Sequence, residues 1–246
     1  MNLAFYIAKR YIFAKKKHNL VNIISWVSVI SVAVGTMALI IVLSVFNGFE
    51  SVISNLFNNF NPDLKIESKI GKTISVENFP FEKIREIEGI DYISKTIEEN
   101  ALLRYKDRQQ IVTIKGVDEN YSKVSKLQTA IVEGKYLSGG ANFMVLGYGI
   151  YDILGVDLND FKTPINAYFP RRDNNFGVNP LESFNSESTM AVGAFSIQQD
   201  FDTKYAIVPL AFAQKLTGYS SEITYYEISV KQGFDIEKIQ NKIQQI

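Results

Sequence analysis

The chain has 246 residues, room for one or two domains, and its 26 basic and 26 acidic side chains cancel to a net charge of zero, which excludes a generally polycationic nucleic-acid binder. Hydrophobic residues make up 46%, with 17 Phe and 13 Tyr, too apolar a composition for a disordered chain. The absence of Cys excludes disulfides, thiol catalysis and Cys-based metal sites, and the single His18 leaves no imidazole pair for a metal.

The zero average hides an asymmetry. Residues 1–18 carry Lys9, Arg10, Lys15, Lys16 and Lys17 and no acid, whereas Asn19–Phe49 is a run of 31 residues without one ionisable side chain. Its core, Leu20–Phe46, would measure about 40 Å as a helix, longer than the ~30 Å hydrocarbon layer. The run is too long for a signal-peptide core, and Phe46–Glu50 is a poor cleavage site. We therefore expect a cytoplasmic leader over 1–18, a transmembrane helix over 19–47 and an extracytoplasmic domain over 48–246, oriented by the basic leader. Leu3, Ile7, Tyr11 and Ala14 give the leader an apolar stripe suited to the membrane surface. Within the span Ser28, Ser31, Gly35 and Ala38 recur at spacings of three, four and three. Such a face admits a second helix at close range, although small residues are common enough in spans to align by chance.

Beyond residue 62 the pattern is mixed α and β. Strands are expected at Leu64–Glu67, Ile90–Tyr105 and Gln110–Val117, with a turn at Lys106–Arg108, and a short helix at Phe81–Glu88 ended by Gly89. A polar connection leads to a strand at Asn142–Leu146, a helix at Gly149–Leu154 and a strand at Ile165–Phe169. Residues 170–188 read as a Pro-, Asn- and Ser-rich loop. Strands at Thr189–Ile197 and Tyr205–Val208, a helix at Leu210–Leu216, a strand at Ile223–Val230 and a helix from Asp235 to the last residue complete the series.

Chemistry-bearing motifs are weak. Gly71-Lys72-Thr73 resembles the end of a phosphate loop, but Ile66 stands where its first Gly belongs, so a solvated turn is expected. Gly147-Tyr148-Gly149 has Asp152 in place of the third dinucleotide-fingerprint Gly. Asp157-Leu158-Asn159-Asp160 resembles the start of a calcium loop, yet Lys162 replaces its Gly. Glu98 and Glu99, adjacent in a strand, point to opposite faces and cannot flank one bond; a solvated sheet is expected there. Neither a catalytic constellation nor a cofactor or metal site is expected.

Val42-Leu43-Ser44-Val45-Phe46-Asn47-Gly48-Phe49-Glu50 resembles the end of the first transmembrane helix of LolC/LolE-type permeases, the membrane subunits of a lipoprotein-releasing ABC transporter. Its Asn47, Gly48, Phe49 and Glu50 carry the most specific part of the match. Ile7-Ala8-Lys9-Arg10-Tyr11, Val145-Leu146-Gly147, Leu154-Gly155-Val156, Val192-Gly193-Ala194-Phe195 and the course from Ala206 through Lys231 extend the resemblance over essentially the whole chain. It implies an α+β architecture: one transmembrane helix, then a mixed α/β periplasmic domain of the macrolide-exporter core type. In that domain about 48–118 and 205–246 would be membrane-proximal, and about 119–204 an inserted β-rich part. It also implies three further spans and a coupling helix, so the chain reads as the N-terminal portion of a permease. The partners implied are a cytoplasmic ABC ATPase, a second permease subunit, membrane lipids, a lipoprotein substrate and a periplasmic carrier. In the resembling permeases a hairpin that hooks the carrier occurs at the place of Pro170–Ser188. There Arg171 and Arg172 could pair with carrier carboxylates, and Phe176 and Leu181 could supply apolar anchors. A macrolide-exporter-like or cell-division-type permease, and a single-pass anchored periplasmic sensor, are the alternative readings.

Overall fold

The structure, a computed structural model, describes residues 3, 6, 7, 10, 20–57, 61–77, 79–137, 142–172 and 183–246. The chain divides into two compact units, 1–55 and 56–246. In the first, residues 3, 6, 7 and 10 are helical, with Leu3, Ile7 and Arg10 exposed; Lys9, Tyr11, Ala14, Lys15, Lys16 and Lys17 lie outside the described residues.

Helix α1 spans Leu20–Phe57, 38 residues, and within it Ile23–Glu50 is long and apolar enough to cross a membrane. The side chains from Ile23 to Glu50 are all exposed. The hydroxyls of Ser28 and Thr36 donate to the carbonyls of Ile24 and Val32, each at 2.9 Å, so neither needs an outside partner in an apolar surround. The helix runs past the end expected near residue 47. The unbroken apolar run stops there, but no proline interrupts the helix, and hydropathy marks where lipid ends rather than where hydrogen bonding ends.

The second unit is built on one nine-stranded mixed sheet. In chain order its elements are β1 (Leu64–Glu67), β2 (Ile74–Ser75), α2 (Phe81–Arg85), β3 (Ile90–Tyr105), β4 (Arg108–Val117), α3 (Tyr121–Val124), a 3-10 turn at Leu127–Ala130, β5 (Ile131–Gly134), β6 (Phe143–Gly147) and α4 (Tyr148–Leu154). There follow β7 (Ile165–Pro170), β8 (Phe184–Phe195), α5 (Gln199–Asp202), β9 (Tyr205–Pro209), α6 (Leu210–Thr217), β10 (Glu222–Ile223), β11 (Tyr225–Val230) and α7 (Ile236–Ile243). The spatial order is β1-β11-β3-β4-β9-β6-β8-β5, with β7 bridging β3 and β8, while β2 and β10 form a separate pair. Pairs β4–β9 and β6–β8 are parallel and the others antiparallel.

Long β3 and β4 form because Ile, Val and Leu alternate with polar residues, and Lys106 takes the left-handed φ of 53° that their tight turn needs. The main core lies on one sheet face, where Ile97, Leu103, Ile114, Leu146 and Val208 meet Phe212, Ala213 and Leu216 of α6. Gly116 permits that approach, since a Cβ there would sit 2.2 Å from the Ala213 Cβ. A smaller core on the opposite face joins Val117, Tyr121, Leu127, Val145, Phe195 and Ile207.

Several expectations need correcting. Phe184–Ser188, expected as loop, is strand paired with β7. The polar connection before residue 142 contains α3, the 3-10 turn and β5. The helix expected over Phe81–Glu88 stops at Arg85, and the last helix ends at Ile243. The strand expected over Ile223–Val230 is broken at Thr224, whose N–H donates to the Thr96 carbonyl and whose hydroxyl accepts from the Glu98 N–H.

Candidate functional site

Strands β7 and β8 form a hairpin in register from Ile165 opposite Thr189 to Pro170 opposite Phe184, and the Arg171 N–H continues the ladder to the Ser183 carbonyl at 2.8 Å. Pro170, Arg171 and Arg172 are exposed at the far end of this ladder, the root of the 173–182 segment, whereas Phe176 and Leu181 fall outside the described residues. The two arginines differ. The Arg172 guanidinium lies 4.0 Å from the Tyr219 ring centroid, donates to the Tyr219 hydroxyl and comes within 3.9 Å of Glu222.

Tyr219, which follows α6, in turn donates to one oxygen of Glu99, and Lys72 pairs with the other. Glu99 is 6% exposed while Lys72 is 63% exposed. Burial, then the Glu99 carboxylate, pushes the Tyr219 phenol up, with Arg172 opposing; the hydroxyl therefore keeps its proton and stays a donor. Asn185 of β8 adds a bond from its Nδ2 to the Leu216 carbonyl at 3.1 Å.

The other face of β3 carries a second polar set. Glu98 accepts from Tyr205 at 3.2 Å and from Tyr225. Glu227 accepts from Lys115 at 2.8 Å and Thr96 at 3.0 Å, wholly inside the protein. Lys65 caps the Tyr225 ring at 3.8 Å, and burial, followed by the charges of Glu227 and Glu98, pushes the Tyr225 phenol up. The expectation of a solvated sheet at Glu98–Glu99 is therefore corrected. The two carboxylates do face opposite ways, but each is engaged by phenol or ammonium donors, because a buried acid must be compensated. Groups so matched hold structure together.

Neither Lys115 nor Glu227 was singled out from sequence, although a signal exists: each is a lone charge inside an otherwise apolar strand, Ile111–Val117 and Tyr225–Val230. Ser28, Ser31, Gly35 and Ala38 lie exposed along α1, and Asn47, Gly48, Phe49 and Glu50 close its apolar stretch Ile23–Glu50, with the helix running on to Phe57. The loops at Gly71 and at Asp157–Asp160 are turns. In the second, Asp160 accepts from Thr163 and from the Lys162 N–H, which draw its carboxyl down to about 2. Among the described residues no group of three or more acids or imidazoles could hold a metal.

A family model described as the MacB-like periplasmic core domain matches residues 25–246. The chain belongs to that family. Among curated proteins it is 28% identical over 248 residues to the lipoprotein-releasing system transmembrane protein LolE of Haemophilus influenzae, covering 97% of this chain and 58% of that one. It is 25% identical over 244 residues to LolC of Buchnera aphidicola subsp. Schizaphis graminum, covering 95% and 58%. The chain thus spans under three-fifths of the length of these relatives. Among solved structures, the periplasmic region of MacB from Actinobacillus actinomycetemcomitans superposes with a TM-score of 0.50 at 11% identity, covering 73% of each chain. That likeness supports the MacB-type α/β fold seen in the second unit. The chain thus combines an apolar helix with a mixed α/β core domain of the MacB-like family, and its sequence is similar to LolE and LolC.

Proposed function

We propose that the chain belongs to a permease in an ABC transporter that extracts lipoproteins from the inner membrane and passes them to a periplasmic carrier. ATP is hydrolysed by a separate cytoplasmic subunit, and a second permease chain completes the membrane part. The observation that carries this reading is the similarity to LolE, which runs through both the span and the core domain. Residues 1–18 lie in the cytoplasm, the bilayer is crossed over about 20–46, and the chain from 48 onwards is periplasmic, as the basic leader favours. In the core domain, 48–118 with 205–246 form the membrane-proximal part and 119–204 the insertion. A reporter that works only in the periplasm, fused after residue 60, is expected to be active; activity of a cytoplasm-only reporter there overturns the orientation.

In this reading the β7–β8 hairpin meets the carrier. Its paired arms support that role, as does the exposed Arg171, with Phe176 and Leu181 as the apolar anchors between them. The test replaces residues 173–182 by a short Gly–Ser turn and measures carrier binding and lipoprotein release in the reconstituted complex. Both are expected to fall; unchanged carrier binding with the domain folded leaves the hairpin without this role.

A further inference from the structure

The ladder that leads to the root of the 173–182 segment has little backbone support. β7 pairs with β3 only at Leu102–Arg104, and Phe184–Ser188 of β8 pair only with β7. Beyond that ladder and the run of β8 into the core beside β6 and β5, a two-stranded ribbon is marginal by itself and free to twist. The root, however, has a second fastening. Arg172 lies on Tyr219 and donates to its hydroxyl, Tyr219 donates to Glu99, and Lys72 closes the line on the far oxygen. Glu99 and Leu103 belong to the same strand, about 13 Å apart at roughly 3.3 Å per residue. The ribbon is thus held by backbone ladders at its inner end and, further out, by side chains: this line and the Asn185 bond to the Leu216 carbonyl. One point of attachment leaves a hinge; two fix an angle. Hydrogen bonds suit the second point because they are directional, whereas apolar contact is not.

We infer that Lys72, Glu99, Tyr219 and Arg172 form a positioning device that sets the angle at which the hairpin leaves the sheet, with Tyr219 as its pivot. Arg172 acts here as part of the mount, and Arg171 is the arginine left to face a partner. The consequence for carrier capture rests on the docking reading above; the positioning itself does not.

The experiment uses the full chain in its assembled transporter and compares Tyr219→Phe, Arg172→Lys and the double variant. Hydrogen exchange is followed at the Arg171 amide and along Asn185–Ser188, with β6 as internal reference. Each single variant is expected to speed exchange at the root roughly tenfold, about the worth of one ordinary hydrogen bond, and to leave β6 unchanged. The double variant is expected to do no more than either single one, since both cut the same line. Glu99→Gln keeps an acceptor for Tyr219 but removes the charge that holds Lys72. Its root exchange should rise less and lose its dependence on salt.

Root exchange unchanged in both single variants overturns the inference, and so do additive effects in the double. Binding of a soluble periplasmic lipoprotein carrier is measured in parallel and is expected to weaken several-fold with Tyr219→Phe. Faster root exchange with undiminished carrier binding overturns the link to capture. Undiminished binding after replacing 173–182 instead overturns the docking reading, and the exchange result still decides the positioning.

Discussion

Replacing Lys115 by Met tests whether the interior of the sheet is organised by its buried ion pair. Lys115 and Glu227 are each about 2% exposed in their side chains and meet at 2.8 Å. Lys115 also lies 4.8 Å from the Tyr121 ring centroid, and Glu227 takes a second bond from Thr96. Removing the ammonium leaves a buried carboxylate with one neutral donor, a loss of about 3–5 kcal/mol. For a unit the size of residues 56–246, each kcal/mol moves the melting point by roughly 2–4 °C. A fall of about 6–20 °C is therefore expected. Adding Glu227→Leu removes the stranded charge and should restore most of the loss, short of about 1 kcal/mol for the Thr96 hydroxyl left without its acceptor. Burial alone would lower the Lys115 pKa, but Tyr121 and Glu227 outweigh it and raise the folded value above the ordinary 10.5. A raised pKa means that the stabilisation is fully present below 10.5 and is lost only as pH climbs through the folded value. The melting-point difference between wild type and Lys115→Met should then stay flat from pH 7 to 9. Thermal and urea denaturation of the detergent-solubilised chain, followed by near-ultraviolet circular dichroism of the domain tyrosines, give the melting points and free energies of all three proteins. A single variant costing under about 1 kcal/mol, or a double variant no better than the single, refutes the reasoning.

Three further outcomes are expected. Gly116→Ala drives a methyl into Ala213 of α6 and should cost about 1–3 kcal/mol by overpacking, with part recovered by Ala213→Gly; equal urea midpoints would contradict the close approach. Asp160 has a folded pKa drawn down to about 2 from 3.8, so its contribution is present above 3.8 and lost as pH falls through about 2. Asp160→Asn should flatten the acid limb of the stability curve in that window, and an unchanged limb counts against the Thr163 and Lys162 bonds. If Ser28, Ser31, Gly35 and Ala38 meet a partner span, Gly35→Leu should lower the yield of assembled complex more than Ile40→Leu, because close backbone approach forbids a large side chain; equal yields leave the alignment to chance.

The long apolar helix was legible because thirty-one uncharged residues can be read locally, and β3, β4, β9 and α6 because their apolar residues match their burial. The arm Phe184–Ser188 was not. Its alternate side chains Phe184, Ser186 and Ser188 are exposed and Asn185 and Glu187 only half-buried, so no hydrophobic period marks it as strand. α3 and α5 have four residues each, too short for a helical period to register. The polar line at the hairpin root was illegible for another reason: Lys72 and Glu99 are 27 residues apart and Tyr219 lies 120 from Glu99. No local pattern announces which acid finds which base. The Lys115–Glu227 pair spans 112 residues, and only the oddity of each charge within an apolar strand hints at it.

Strand β8 serves two masters along its length: Phe184–Thr189 pair with β7, and Met190–Phe195 with β6 and β5. Because the arm is a direct continuation of a core strand, its reach can change without renegotiating the core. Two residues added to each arm beyond Pro170 and Phe184 lengthen it by about 6.6 Å and leave every side chain on its original face, whereas one residue added to a single arm reverses the faces of everything distal to it. Descendants of this chain facing a larger or more distant partner can therefore drift in hairpin length by even steps, and the tip can diversify while the sheet stays as it is.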